Sequence, residues 1–434
     1  MARMRTVATL GVHLNSRLVG RLTRAASGAV AFQYDESWLD WAHAFAISLA
    51  LPLRAEHYTG ALVNAVFDNL LPDSEQIRRR LAERMQADGT DAFNLLTVIG
   101  RDCVGALQFL PEGLEPGPAG EIKGKALSEG EVAAMLRNLE SAPLGVDQAR
   151  EFRISLAGAQ EKTALLFQNG VWQLPQSSTA TTHILKPPIG RRAGHDLSQS
   201  VENEFLCHQI LAGLGLPVAS SRIADFEDQR VLVVERFDRR WTGDGRLLRL
   251  PQEDCCQALG VPPARRYQSD GGPGLLKILE LLKGGDTPHE DRKLFLKAQM
   301  AFWLLGATDG HAKNFSVFIT TGGGLHLTPL YDVLSTQPLL DAGSLRRTEM
   351  KLAMAVGDKM HYRVDEIMPR HFAQSAGQAG VPFGLVTEIT EELVKDIPLV
   401  LEELPSQVPS NFPEALLASI AAGTHGRLKR LAAG

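Results

Sequence analysis

Cysteine is scarce in this 434-residue chain: Cys103, Cys207, Cys255 and Cys256 are all there is, with no CxxC pair and no regular spacing. A disulfide framework or a cysteine-built zinc site needs matched spacing, so both are excluded and the thiols are read as reduced. Long apolar runs are missing too. None reaches the ~18 to 20 residues of a bilayer-spanning helix. The basic start Met1-Ala-Arg-Met-Arg5 leads into no apolar stretch with a cleavage site. The expectation is a cytoplasmic protein without a membrane partner. Positive charge is not in excess either: 45 Lys and Arg against 50 Asp and Glu leave a formal net charge of −5. That balance argues against a chain that holds nucleic acid by a dominant basic surface of its own.

What is present is a globular composition, 44% hydrophobic and 22% charged, with enough apolar residues for a substantial core. The length suggests two or three domains. Residues 6 to 34 alternate in a β-like way around a turn at Asn15-Ser16. Helical spacing follows at Ala61, Val63, Val66, Phe67 and Leu70. Asp73 or Ser74 can cap a second helix through Ile77, Leu81 and Met85. The stretch 93 to 109 reads as a short helix and then a strand. Pro111 to Lys125 is rich in Pro and Gly and reads as a linker. Ser128 and Glu131 have capping-box spacing and open another helix. From Phe152 to Phe237 the pattern is β-rich, with strands predicted at 152–155, 162–167, 182–186 and 230–235 and one helix at 198–214. Beyond Asp238 it is helical, at 275–283, 291–306, 364–379, 385–403 and 414–431. The fold class expected is α+β: a small β-rich N-terminal domain (1–110), a linker (111–126), then a bilobal kinase-like fold. Its β-rich small lobe is 127–238 and its helical large lobe 239–434.

The chemistry concentrates in Trp303-Leu-Leu-Gly-Ala-Thr-Asp-Gly-His-Ala-Lys-Asn-Phe-Ser316. Asp309 and Asn314 stand five residues apart, the offset of base and metal-binding Asn in a kinase catalytic loop. Asp332 lies 23 residues after Asp309, where a kinase keeps its magnesium-holding Asp. Magnesium takes few protein oxygens plus phosphate oxygens, and Asn314 with Asp332 would supply them. Asp309 alone would read as a turn residue, because Asp-Gly is a common turn dipeptide. Its two partners favour the base. Lys313 either neutralises a phosphate or is a solvated loop Lys. His311 reads as structural. Lys186 ends a short β-like run and can pair phosphates, with Glu204, or else Glu202, as the helix carboxylate that orients it. Small residues at Ala157, Gly158 and Ala159 would let backbone N–H groups approach phosphate, although a plain hairpin explains them equally. Gly271-Gly-Pro-Gly274 reads as a turn and the apolar stripe 294–305 as core.

These motifs together resemble the HipA family, the kinase toxins of bacterial toxin–antitoxin pairs. Phe67-Asp-Asn-Leu-Leu-Pro-Asp-Ser74 and Ile99-Gly-Arg-Asp102 are similar to its N-terminal domain. Arg153-Ile-Ser-Leu-Ala-Gly-Ala-Gln-Glu-Lys-Thr163, Val234-Glu-Arg-Phe-Asp-Arg-Arg240, Leu250-Pro-Gln-Glu-Asp254 and Gly306-Ala-Thr-Asp-Gly-His-Ala-Lys-Asn-Phe315 are similar to its kinase core. The resemblance implies a serine/threonine-protein kinase that uses ATP and Mg2+, with Asp309 catalytic and Asn314 and Asp332 at the metal. It implies nucleotide contacts from Ala157, Gly158, Ala159, Gln160, Glu161, Lys162, Lys186, Glu235, Arg236, Phe237, His311, Ala312, Lys313, Asn314, Tyr331 and Asp332. Ser155 matches the serine that the family autophosphorylates. The implied substrate is an aminoacyl-tRNA synthetase, glutamyl-tRNA synthetase foremost, whose phosphorylation arrests growth and gives drug tolerance. The implied partner is a HipB-like helix-turn-helix antitoxin that represses the shared operon. Residues 373–381 hold no Lys or Arg where the family pattern is basic, so operator DNA is expected to be reached through the antitoxin. Two other readings remain: a small-molecule phosphotransferase, and a non-catalytic co-repressor.

Overall fold

The structure is a computed structural model that describes residues 8–146 and 152–433. It divides into two compact units. The first takes in Met1–Pro187, Ala224–Ala264 and Phe318–Gly324, and the second Pro188–Ile223, Arg265–Val317 and Leu325–Gly434. Strands and helices are both abundant, and the class is α+β. Among the described residues no helix is long and apolar enough to cross a membrane.

The first unit contains a five-stranded antiparallel sheet in the order Tyr58–Thr59, Val30–Tyr34, Arg17–Arg24, Ala8–Leu14, Leu107–Pro111. The turn at Asn15 and Ser16 has φ of 45° and 72°. Two positive values match the turn to the right-handed twist of its strands. Helices Ala61–Asp68, Glu75–Met85 and Ala92–Ile99 follow, and the first adds Phe67 to a core in which its ring lies 5.6 Å from Phe32 and 5.5 Å from Phe109. Of the two cap candidates it is Ser74 whose side chain accepts from Ile77 N–H. The capping box of Ser128 and Glu131 is present at the start of Glu129–Arg137.

The second sheet is six-stranded, in the order Ser221–Phe226, Gln229–Glu235, His183–Lys186, Thr163–Gln168, Val171–Pro175, Gly124–Ala126, and the last five strands pair antiparallel. Two expectations are corrected here. The stretch 111–126, read as a linker, ends in the edge strand Gly124–Ala126, which Val171–Pro175 pairs. Of residues 152–155, read as strand, 153–155 have no regular secondary structure. Their polar groups are taken elsewhere: Ser155 N–H donates to the Asp102 carbonyl at 2.9 Å, so no strand ladder can use it.

A buried ion cluster ties this unit together. Asp102 receives Arg236 at 3.3 Å, Arg239 at 2.8 Å and Arg249 at 3.0 Å, while Asp238 takes the other side of Arg236 at 2.8 Å. Burial alone would raise the Asp102 pKa. The facing guanidinium groups of Arg239, Arg249 and Arg236 outweigh it and hold the carboxyl far below the usual range.

Glu253 is the opposite case. It is wholly buried, accepts from Leu49 N–H at 2.8 Å through Oε1, and has no partner on Oε2. Burial pushes its pKa up to about 8. An acid whose folded pKa is raised binds its proton more tightly in the native state, so it loses stability as pH rises above the unfolded value near 4.3. Glu253→Gln keeps an acceptor for Leu49 and cannot ionise. Its melting temperature should therefore gain on wild type between pH 5 and 8, and thermal melts across that range measure the gain. Parallel curves would refute a buried, proton-holding Glu253.

The second unit is mostly helical: Ser200–Gly213, Leu275–Leu282, Pro288–Leu305, Pro369–Gln378, Phe383–Gln407 and Glu414–Ala432. The helix read as 364–379 starts only at Pro369. Proline has no N–H to give and a fixed φ, which suits the first helical position, and the Val364 carbonyl is already taken by Trp303 Nε1. The stripe 294–305 is core, with Phe295, Trp303 and Leu305 fully buried. The hairpin of Lys351–Val356 with His361–Arg363 falls where only helix and loop were expected.

Candidate active site

The catalytic-loop sequence begins where helix Pro288–Leu305 stops at Gly306, a left-handed C-cap with φ 65°. Ala307 N–H returns to the Phe302 carbonyl at 2.8 Å, which closes the helix end and turns the chain toward Asp309. Phe315 anchors the far side of the loop, its ring 4.9 Å from Phe295 and 5.6 Å from Phe302. Two packed ends hold the polar residues between them.

Within that loop Asn314 organises the geometry. Its Nδ2 donates to the Asp309 carbonyl at 3.0 Å and to the Asp332 carbonyl at 3.4 Å. One side chain thus fastens Asp309 to the second acidic residue. With Nδ2 facing the two carbonyls, Oδ1 is the end left for a cation. Asp332 sits at φ 59°, a left-handed value that costs a non-glycine residue free energy and recurs at functional positions. Asn314 and Asp332 therefore fit a divalent ion that brings its own phosphate oxygens and needs few protein ligands. Among the described residues no group of three or more His, Cys, Asp or Glu could hold a metal by protein alone.

Asp309 keeps its carboxyl tip open to solvent although protein surrounds most of the side chain. That enclosure pushes its pKa up, and His311 and the Tyr267 hydroxyl oppose the push. His311 Nε2 faces Arg266 Nε at 3.1 Å. Arginine can only donate, so Nε2 is the accepting atom in this contact. Lys313 is buried, which removes the reading of a solvated loop lysine. Its carbonyl accepts from the Tyr331 hydroxyl at 2.8 Å, and that hydroxyl also pairs with Ser316 Oγ at 2.6 Å. Asp309, His311, Ala312, Lys313, Asn314, Tyr331 and Asp332 thus stand together in the second unit.

The other expected site residues lie in the first unit. Gly158 has φ 107°, and its carbonyl accepts from Asp73 N–H at 2.9 Å. A Cβ on Gly158 would come within 2.6 Å of Lys162 Nζ, so the loop wraps closely around a buried ammonium group. Gln160 Nε2 reaches the Pro187 carbonyl at 2.8 Å, and Glu161 pairs with Arg80 at 2.5 Å. Ser155 is fully buried with Oγ on the Leu70 carbonyl at 2.8 Å. Lys186 is buried at the end of its strand, and Glu235 is exposed at the end of the neighbouring one. Phe237 is half-buried, edge-on to Phe318 at 5.9 Å. The Arg236 guanidinium belongs to the Asp102–Asp238 cluster, and its N–H donates to the Thr182 carbonyl. Glu202 and Glu204 are both buried in helix Ser200–Gly213 of the second unit.

Two residues at the site went unread in the sequence. Tyr267 donates its hydroxyl to Asp309 Oδ1 at 2.5 Å, and Arg266 braces His311. What could have pointed to them is the glycine run behind them. A Cβ on Gly272 would stand 1.9 Å from the Arg265 carbonyl oxygen, so only glycine lets this segment fold back on itself.

A carboxylate residue tied through one Asn to a second Asp is the arrangement used by phosphoryl-transfer enzymes of the kinase class. Residues 10–110 match the HipA N-terminal domain and residues 154–401 the HipA-like C-terminal domain. The chain belongs to the HipA family of serine/threonine-protein kinases. It is 36% identical over 405 residues to the putative kinase Y4mE of Sinorhizobium fredii, covering 92% of this chain and 93% of that one. It is 28% identical over 415 residues to the serine/threonine-protein kinase toxin HipA of Shewanella oneidensis, covering 92% and 90%. A solved complex of Shewanella oneidensis HipA and HipB with operator DNA superposes with a TM-score of 0.80 at 26% identity, over 98% of this chain and 96% of that one.

Proposed function

We propose that this chain is the toxin of a toxin–antitoxin pair, a kinase that uses ATP and Mg2+ to phosphorylate a protein of translation, glutamyl-tRNA synthetase foremost. The observation that carries the reading is Asn314 holding Asp309 and Asp332 in one hydrogen-bonded group. Asp309 orients the attacking hydroxyl and takes its proton. Asn314 and Asp332 would hold the metal, which offsets charge on the transferring phosphate. Gly158 and Lys162 receive phosphate oxygens, Lys186 contributes to nucleotide binding through its side chain, and residues 235–237 through their backbone. A HipB-like antitoxin neutralises the kinase and carries it to operator DNA. The solved HipA, HipB and operator DNA complex supports this partnership.

The position of Ser155 supports self-inhibition at that residue. Its hydroxyl is fully buried on the Leu70 carbonyl, so the segment must leave its seat before it can accept phosphate. Afterwards a group of about −1.5 to −2 charge cannot return to a site lined by carbonyl oxygen. Incubation with Mg-ATP should add phosphate at Ser155 in wild type and none in Asp309→Ala, as intact-mass analysis with site mapping would reveal. In the phosphorylated chain, hydrogen exchange should quicken across 153–162 and nucleotide affinity should fall at least tenfold. Exchange unchanged by phosphate at Ser155 would contradict self-inhibition. A wild type that transfers phosphate to neither itself nor a synthetase would overturn the kinase reading.

A further inference from the structure

Tyr267 is a phenol held directly against the catalytic carboxylate. It comes from outside the catalytic loop, 42 residues earlier in the chain. Its hydroxyl donates to Oδ1 of Asp309, and among the described residues Oδ2 has no hydrogen-bond partner. The carboxylate therefore has one oxygen fixed and one open to solvent. The phenol is itself constrained. Its ring meets His311 edge-on at 4.8 Å, and the Arg266 guanidinium lies 5.0 Å from its centroid. Arg266 is tied in turn to His311 Nε2, and Ala312 N–H reaches the Arg266 carbonyl at 3.4 Å. The turn at Gly271 and Gly272 returns Gly272 N–H to the Tyr267 carbonyl at 2.9 Å and keeps this residue in place.

We propose that Tyr267 is the positioning residue of the catalytic base: its hydroxyl locks the Asp309 carboxylate so that Oδ2 is presented to the substrate hydroxyl. The inference rests on the kinase reading above and deepens it. A free carboxylate rotates about its last bond and spends part of its time with neither oxygen aimed at the acceptor. Near-attack geometry suffers from small misplacements of this kind. A neutral donor on Oδ1 removes that freedom and still leaves the base its negative charge. Burial raises the phenol pKa, with the Asp309 charge acting in the same direction, so the donor remains protonated.

Tyr267→Phe keeps the ring between His311 and Arg266 and removes only the oxygen, so a role in packing alone would survive it. The expected result is a fall in kcat of about tenfold to a hundredfold, the worth of a hydrogen bond to a charged group. KM for ATP and the melting temperature should stay at wild-type values. A kcat that is unchanged would overturn the proposal. So would one that rises, since the hydroxyl would then be obstructing the acceptor's seat on Asp309. A second measurement needs no turnover. The chain has five tyrosines, and in protein carrying 3-fluorotyrosine the Tyr267 resonance is the one lost in Tyr267→Phe. Asp309→Asn should shift that resonance and leave the other four. No shift would mean that the contact is absent, whatever the enzyme's activity. A shift in a protein that transfers no phosphate would leave the contact intact and overturn the positioning role with the kinase reading.

Discussion

Asp309→Asn should lower phosphate transfer by about a thousandfold, within the ~10²- to 10⁴-fold range that a positioned general base contributes. The substitution is conservative in shape. Asparagine offers a carbonyl oxygen to the Tyr267 hydroxyl, so the contact at Oδ1 can persist. The Asn314 bond goes to the main-chain carbonyl of residue 309 and is indifferent to the side chain. What changes is that the amide cannot accept the proton of the attacking hydroxyl and carries no charge with which to align it. Mg-ATP affinity should therefore stay within about twofold of wild type while turnover collapses, because the loss falls on the transition state rather than on binding. Phosphate transfer to protein, paired with a nucleotide titration of the same sample, separates the two quantities. The competing view of Asp309 as an ordinary turn residue predicts no loss of turnover. Activity within tenfold of wild type would favour that view, and a parallel loss of nucleotide affinity would point to a damaged loop.

The catalytic loop was legible because its chemistry is local. Asp309 and Asn314 are close in sequence, and the bond between them follows from that spacing. Asp332 was legible as a second acidic residue at the expected distance, but its backbone strain was not. Helices Leu275–Leu282 and Phe383–Gln407 of the second unit were legible from apolar spacing, because each buries one stripe. Strand Val171–Pro175 was not: Val171 is exposed and Trp172 half-buried, so it lacks the inward run that marks a strand. Tyr267 was hidden for a different reason. Its partner is far along the chain, and nothing in Arg265-Arg266-Tyr267 announces a contact with a carboxylate. The buried pairing of Arg236 was not legible, because Asp102 lies 134 residues earlier in the chain. Only the three-dimensional arrangement reveals that Asp102 and Asp238 claim its side chain.

The same arrangement explains why Ile99-Gly-Arg-Asp102 and Val234-Glu-Arg-Phe-Asp-Arg-Arg240 stand out as motifs, and it sets the second large effect. Asp102→Ala should destabilise the first unit by about 3–5 kcal/mol, the range for breaking a buried ion pair from one side. Three guanidinium groups converge on this carboxylate. With it gone, Asp238 alone must balance Arg236 and Arg239, and Arg249 is left with the Ser178 carbonyl. Thr181 would lose the acceptor for both its N–H and its hydroxyl. Asp102→Asn should restore only part of the stability, because an amide can accept from Thr181 but brings no charge. A drop of about 10 °C in melting temperature is the expected scale for a unit of this size.

The sign with pH follows from the depressed folded pKa. The Asp102 contribution is fully present above the unfolded carboxylate value near 3.9, and it is lost as pH falls toward the folded value. Wild type and Asp102→Ala should therefore differ most at neutral pH and converge in acid. Asp244→Ala, at an exposed pair with Arg246, is the control that should leave the melt unchanged. The Asp102 carbonyl also receives the Ser155 N–H. Loss of the cluster should thus loosen the 153–162 segment and weaken nucleotide binding at temperatures where the chain is still folded. An Asp102→Ala protein that melts with wild type would mean that these buried charges do not hold the unit together, and the apolar core around Phe32, Phe67 and Phe109 would have to do so alone.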